Sequence, residues 1–243
     1  MKDYLCFVNL KKCHKLGVWC MNIKVFLQAI LKFFTGVLIV FLLLFIPSGS
    51  FKFWNGWLFM GLLFIPMFIV GIILIIKNPE LLKKRLNAKE NENQQKFVIA
   101  ISGMMFIAGF IIAEFNFKYK WFELPNIVII VSSILFIIAY ILYAEVLKEN
   151  EYLSRTIEVQ ENQNVVDTGL YGIVRHPMYS ITLILFLTIP LILGSIISFI
   201  IFLVYPFIIS KRIINEESFL EKNLKGYKEY KNKVKYKLIP YIW

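Results

Sequence analysis

Charge is scarce in this chain, and so are the residues that build metal centres and disulfide frameworks. Asp, Glu, Lys and Arg make up 18% of the 243 residues against 58% hydrophobic, well above the ~45–50% apolar share of a soluble domain. The three cysteines, Cys6, Cys13 and Cys20, all fall near the N-terminus, with His14 beside the middle one. They form no C-x-x-C pair and no zinc ligand set. The other histidine, His176, lies far along the chain. A Gly-rich strand-to-helix turn that would cradle a nucleotide is missing, and so are internal repeats. Residues 1–24 read as a cytosolic N-terminal extension. Lys11, Lys12 and Lys15 break their apolar stretch, so the segment does not read as a secretory signal.

What the chain has instead is long uncharged runs. Lipid offers the backbone no water to bond, so a run of about 18 or more apolar residues reads as a transmembrane helix. Runs at 54–76, 97–113 and 124–147 qualify, and 25–46 joins them if Lys32 snorkels toward water. Residues 25–147 therefore read as four transmembrane helices, with a short helix over 80–86 in the polar loop after the second. Trp54, Trp57, Tyr119 and Trp121 stand where aromatic side chains prefer the headgroup level. The net charge of +11 raises the question of nucleic acid, and its distribution answers it. With the N-terminus in the cytosol and spans alternating, only Lys52, Lys118 and Lys120 face the other side. Lys32 lies within a span, and the remaining 23 of 27 Lys and Arg are cytosolic. The positive-inside bias accounts for the basicity, and no nucleic-acid partner is expected.

Residues 178–210 form a single uncharged run of 33 residues. One helix of that length would reach ~50 Å, far more than the ~30 Å hydrocarbon core. Pro190, Gly194 and Ser195 mark a break near its middle. A hairpin is expected, which returns the chain to the side it left and brings 163–179 and 211–217 to one face. Beyond it, Leu220, Leu224, Tyr227, Tyr230 and Val234 recur at helical spacing. This predicts one amphipathic helix over 216–234, lying on the bilayer surface or over the cytosolic mouth of the bundle. The expected fold class is all-α: a polytopic transmembrane helical bundle of about six membrane segments, the last two forming a hairpin, plus a C-terminal amphipathic helix.

Two clusters carry side chains suited to chemistry: Q-N-V-V-D-T-G-L-Y-G-I-V-R-H-P-M-Y from Gln163 to Tyr179, and K-R-I-I-N-E-E from Lys211 to Glu217. Each has a plain structural reading. Arg175 and His176 serve as a positive-inside anchor with Pro177 at a helix start, Tyr171 and Tyr179 as interfacial aromatics, and Arg212 and Glu216 as a surface pair four apart. Taken together, G-L-Y-G-I-V-R-H-P-M-Y, an apolar hairpin, R-I-I-N-E-E and the tail G-Y-K-E-Y-K-N-K-V-K-Y-K-L-I-P-Y-I-W resemble the isoprenylcysteine carboxyl methyltransferase and phospholipid methyltransferase superfamily. The resemblance covers about residues 155–243.

That resemblance implies an integral membrane methyltransferase using S-adenosyl-L-methionine, with residues 148–243 as its catalytic region. It implies cofactor contacts at Gln163, Asn164, Val165, Val166, Tyr171, His176, Pro177, Met178, Tyr179 and Glu216. It also implies that Arg212 faces the acceptor, so that Arg212 and Glu216 carry the catalytic roles. Family members often have histidine where this chain has Gln163, and bacterial relatives commonly have glutamine where it has Glu158. The residue types suit the chemistry. Glu216 would favour the cofactor's ammonium and sulfonium, and Arg175 or His176 would complement its carboxylate. Arg212 would hold an acidic acceptor group. No metal is called for. The expected partners are membrane lipids and a lipophilic or lipidated acceptor: a prenylated cysteine, an ethanolamine phospholipid, a fatty acid or another isoprenoid. The expected location is multi-pass, in the cell membrane of a prokaryote or the endoplasmic reticulum of a eukaryote, with the site facing the cytosol. Two alternatives stay open. One is a membrane-embedded NADPH-dependent steroid- or enoyl-type reductase, which has a similar basic, Tyr-rich ending. The other is a non-catalytic membrane protein that keeps only the scaffold.

Overall fold

A computed structural model describes residues 23–87, 93–153 and 156–243. Most of the expected N-terminal extension, including Cys6, Cys13, His14 and Cys20, lies outside the described residues. Four long apolar helices come first or nearly so: α1 (Ile23–Phe45), α2 (Trp54–Lys77), then the short α3 (Pro79–Leu86), α4 (Asn93–Tyr119) and α5 (Asn126–Glu149). After a non-helical stretch and a 3₁₀ turn at Gly169–Gly172 come α6 (Pro177–Ile192), α7 (Ile196–Phe202), α8 (Tyr205–Asn223) and α9 (Tyr227–Lys233). Among the described residues there is no β-strand. The helices α1, α2, α4 and α5, and the α7–α8 run, are each long and apolar enough to cross a membrane; α6 is a shorter apolar helix. The protein is a polytopic helical bundle and a multi-pass membrane protein.

Local chemistry explains the main turns. Asn78 closes α2 and opens α3: its N–H donates to the Leu74 carbonyl at 2.9 Å, and its side chain accepts the Leu81 N–H at 3.0 Å. Pro79 at the first helical position loses nothing there, since that N–H would have no helical partner. The α4 helix runs six residues beyond the expected end at 113, through the stretch read as an external loop. Its extra turns are held by inward polar groups. The Glu114 carboxylate accepts the Ser48 N–H at 2.8 Å, and Asn116 bonds the Phe122 backbone through both its donor and its acceptor.

The hairpin forms where the uncharged run breaks. Gly194 adopts φ +76°, in the left-handed region that glycine enters without strain. The turn leaves helix-end carbonyls without intrahelical partners, and two asparagines supply the missing donors. Asn55 Nδ2 donates to the Ile192 carbonyl at 2.8 Å, and Asn116 Nδ2 to the Gly194 carbonyl at 3.1 Å. Ser195 then caps α7 by accepting the Ser198 N–H at 3.2 Å. The Ser198 hydroxyl donates to the Gly109 carbonyl at 2.8 Å, and a Cβ on Gly109 would fall 2.2 Å from the Phe202 ring. That glycine sets how closely α4 and α7 approach. The return limb is not straight: it bends at Leu203–Val204 before Pro206, whose missing N–H and ring interrupt a continuous helix. The α8 helix then runs unbroken out of the apolar limb, carrying Arg212, Glu216 and Glu217.

The expected single helix over 216–234 is two helices. They break at Leu224–Gly226, where Gly226 takes φ +85°. Its apolar face is real, but it does not lie on a bilayer surface. Leu224, Tyr227, Tyr230 and Val234 form a second buried cluster, packed with Val159, Val165 and Leu220. The chain folds back so that this face covers the site end of the hairpin.

Candidate active site

At the end of the bundle where α6 begins, three segments converge: the stretch after α5, the start of α6, and the stretch from the second half of α8 through α9. The 3₁₀ turn orients the first of these. Gly169 sits at φ +51°, and a Cβ there would fall 1.6 Å from Glu149 Oε1. Glu149 uses this close approach to accept the Leu170 N–H at 3.1 Å. The next residue, Tyr171, is thereby turned inward. Its hydroxyl accepts a bond from Asn150 Nδ2 at 3.0 Å, and its carbonyl accepts one from the Tyr230 hydroxyl at 2.8 Å. Burial is the main cause raising both phenols above their ordinary pKa, so both remain protonated donors at neutral pH.

Tyr179, one turn into α6, is the junction of the site. Its hydroxyl donates to Glu216 Oε2 at 2.6 Å and accepts from Arg212 Nε at 2.8 Å, while the Arg212 guanidinium lies over its ring at 5.8 Å. Arg212 and Glu216 stand on one face of α8, as their four-residue spacing requires, and they meet on a tyrosine from the other hairpin limb. His176 stacks on the same ring, with centroids 5.6 Å apart at 21°.

Arg175 lines the cavity, but its guanidinium is already engaged by protein groups. It is buried, and its Nε donates to Glu217 Oε1 at 2.6 Å. Its Nη1 donates to the carbonyls of Val234 and Lys235 at 2.7 and 2.8 Å. His176 Nε2 lies 3.2 Å from the same Glu217 oxygen, and Lys237 Nζ lies 3.9 Å from the other. A carboxylate that already accepts from Arg175 bonds imidazole only through a protonated nitrogen, so His176 Nε2 carries the hydrogen. The backbone completes the clamp: the N–H groups of Arg175 and His176 donate to the carbonyls of Tyr236 and Lys237, each at 2.9 Å. This network fastens the C-terminal segment over the start of α6. The second glutamate of the Glu-Glu pair is therefore a structural partner, a role that its position in the sequence does not reveal.

Between these segments lies an open-mouthed cavity. Gln163, Asn164, Val165, Val166, Tyr171, His176, Pro177, Met178, Tyr179, Arg212 and Glu216 all line it, as does Glu158. Asn150, Tyr152, Leu153, Leu220, Leu224, Tyr227 and Tyr230 also line it and went unforeseen as site residues. The last four had a signal: the apolar face of the tail marked them as buried, though not what they bury against. Arg85, on α3, bonds the Tyr143 hydroxyl and approaches Sδ of the cavity-lining Met178 at 3.8 Å.

The fold and this cavity define a helical membrane protein whose hairpin brings an Arg-x-x-x-Glu pair onto a His-Pro-x-Tyr segment. Residues 127–226 match the family model of phospholipid methyltransferases. The match bears out the resemblance to the isoprenylcysteine carboxyl and phospholipid methyltransferase superfamily and supports a membrane methyltransferase. It begins within α5, ahead of the stretch that carried the resemblance, and ends at Gly226. No curated protein sequence matches the chain.

Proposed function

We propose that this protein transfers a methyl group from S-adenosylmethionine to a lipophilic acceptor, at a site on the cytosolic side of the membrane. One observation carries the reading: every residue that the superfamily resemblance assigns to the cofactor lines a single cavity together with Arg212. The residues fit the cofactor in charge: Glu216 provides a carboxylate for a ligand bearing an ammonium and a sulfonium. When bound, the cofactor supplies a methyl group already activated by the positive sulfur.

The chain's own contribution is then positioning and exclusion of water. The Tyr179 hydroxyl bonds both Glu216 and Arg212, so the residue assigned to the donor and the one assigned to the acceptor share one anchor. Arg212 orients an acidic acceptor group, and the acceptor reaches it sideways from the bilayer, between helices. The tail folded over α6 keeps bulk water from the opposite side. The concentration of Lys and Arg in the segments at this end supports the cytosolic orientation.

Calorimetric titration of the purified protein with S-adenosylmethionine and with NADPH tests the reading. Binding of the first and not the second is expected; binding of NADPH alone, or of neither, overturns it. Labelled methyl transfer to a prenylated cysteine, an ethanolamine phospholipid and a fatty acid in parallel then identifies the acceptor class.

A further inference from the structure

Tyr227 is almost wholly buried, and its hydroxyl has no hydrogen-bond partner among the described residues. A buried phenol left in that condition is destabilising, and buried polar groups without partners are uncommon in native folds. Tyr227 is also a wall of the cavity. Its neighbour in the same cluster, Tyr230, has solved the same problem internally by donating to the Tyr171 carbonyl. Tyr227 therefore carries, buried in the cavity's wall, a hydrogen-bonding group that the fold itself leaves unanswered.

The walls divide by chemistry. Arg212, Glu216, Tyr179 and His176 make one part charged and polar, whereas Val165, Leu220 and Leu224 pack with Tyr227 into an apolar part. A ligand with a cationic end and a flat heteroaromatic end would orient accordingly, with its cation toward Glu216 and its ring between the aliphatic side chains. Burial, and then the nearby charges of Glu217 and Glu216, push the Tyr227 phenol well above its ordinary pKa. It therefore stays protonated as a donor.

Resting on the methyl-donor reading above, we infer that the Tyr227 hydroxyl donates a hydrogen bond to a ring nitrogen of the cofactor's purine, which the Val165, Leu220 and Leu224 side chains sandwich. Tyr227 is thus a binding residue contributed by the folded-back tail. It fixes which end of the cavity takes the nucleoside and leaves the methyl group at the Tyr179 end.

The test measures binding of S-adenosylhomocysteine, and of its 1-deaza, 3-deaza and 7-deaza purine analogues, to wild type and to Tyr227→Phe in detergent. Thermal unfolding establishes that the variant is folded. The variant is expected to bind the parent compound about fivefold to tenfold more weakly, the size of one lost hydrogen bond. One deaza analogue is expected to lose a similar factor on wild type and nothing further on the variant. Equal affinity of wild type and variant for the parent overturns the inference, because the hydroxyl is then satisfied without the ligand. Deaza analogues that all bind wild type like the parent, or that lose equally on both proteins, overturn the assignment to the purine. Wild type that fails to bind S-adenosylhomocysteine at all is a different result: it removes the methyl-donor reading, and this inference with it. A variant that fails to fold is replaced by Val165→Phe, which fills the proposed slot. That variant is expected to bind S-adenosylhomocysteine at least tenfold more weakly, and unchanged affinity overturns the inference.

Discussion

The first two spans and the hairpin are all long apolar runs in sequence, but they are used differently. In the most apolar windows of α1 and α2 only 6% of residues are buried within the protein, against 33% for the α7–α8 run. The front helices turn Leu27, Leu31, Phe34, Ile65 and Phe68 outward. The hairpin turns Ile189, Ile192, Phe202, Ile209 and Ile213 inward and draws asparagines from α2 and α4 onto its turn. Lipid tails are as apolar as leucine, so hydrophobicity alone cannot bring membrane helices together. Close approach at glycine and polar side chains aimed at unpaired carbonyls do it here, and they cluster at the hairpin.

The contrast is sharpest where charge is buried. Arg175→Ala leaves Glu217 in a dry setting with only His176 and Lys237 to answer it. Removing one member of a buried pair typically costs about 3–5 kcal/mol, and the C-terminal segment loses its clamp as well. Thermal unfolding in detergent should register a large drop, and a wild-type melting temperature would end the claim that this region holds the fold. Next come the two residues on Tyr179. Arg212→Ala should lower turnover by roughly a hundredfold, the scale of one preorganised donor, with little change in cofactor affinity. Glu216→Ala should weaken cofactor binding by roughly tenfold, as expected for a hydrogen bond to a charged group. If the two variants have interchangeable effects, donor and acceptor roles are not divided between them. Gly169→Ala combines a left-handed backbone with a collision on Glu149 and should cost roughly 1–3 kcal/mol, read from the same melts. A Gly169→Ala protein as stable as wild type would show that the 3₁₀ turn can reshape freely. The smallest effect belongs to the front half. Leu31, 69% exposed, points outward from α1, and Leu31→Ala should change stability by no more than about 0.5 kcal/mol. A larger loss would mean that α1 has a partner surface there.

How far the sequence discloses this arrangement depends on the kind of signal each feature leaves. The hairpin is legible because one helix over 178–210 would be too long for a bilayer, and Gly194 and Ser195 sit where the chain must reverse. The convergence of Tyr179 with Arg212 and Glu216 follows from that reversal and the helical spacing. Other features leave no one-dimensional trace. Asn55 looks like a stray polar residue in an apolar run, and Asn116 like a loop residue, until the carbonyls of Ile192 and Gly194 are brought beside them. Nothing near Arg175 in sequence announces Glu217 as its partner. The break at Gly226 was hidden for the opposite reason. Leu224, Tyr227, Tyr230 and Val234 keep helical spacing across it, because both pieces bury the same cluster. Periodicity reports which side chains are inside, and it is indifferent to an interruption that preserves the face. The expected end of the third span at 113 falls short because of charge: Glu114 and Lys118 suggest an exit from the membrane, whereas Glu114 turns inward to the Ser48 amide.

The unbroken course of α8 through Arg212 and Glu216 has a geometric corollary. Four residues of α-helix advance by about 6 Å, and neither residue can shift along the axis without taking the other with it. The helix is in effect a ruler graduated at two marks. On the function proposed above, acceptors of different bulk would have to be accommodated by the opposing wall, on the Met178 side, while the span between the marks stays constant.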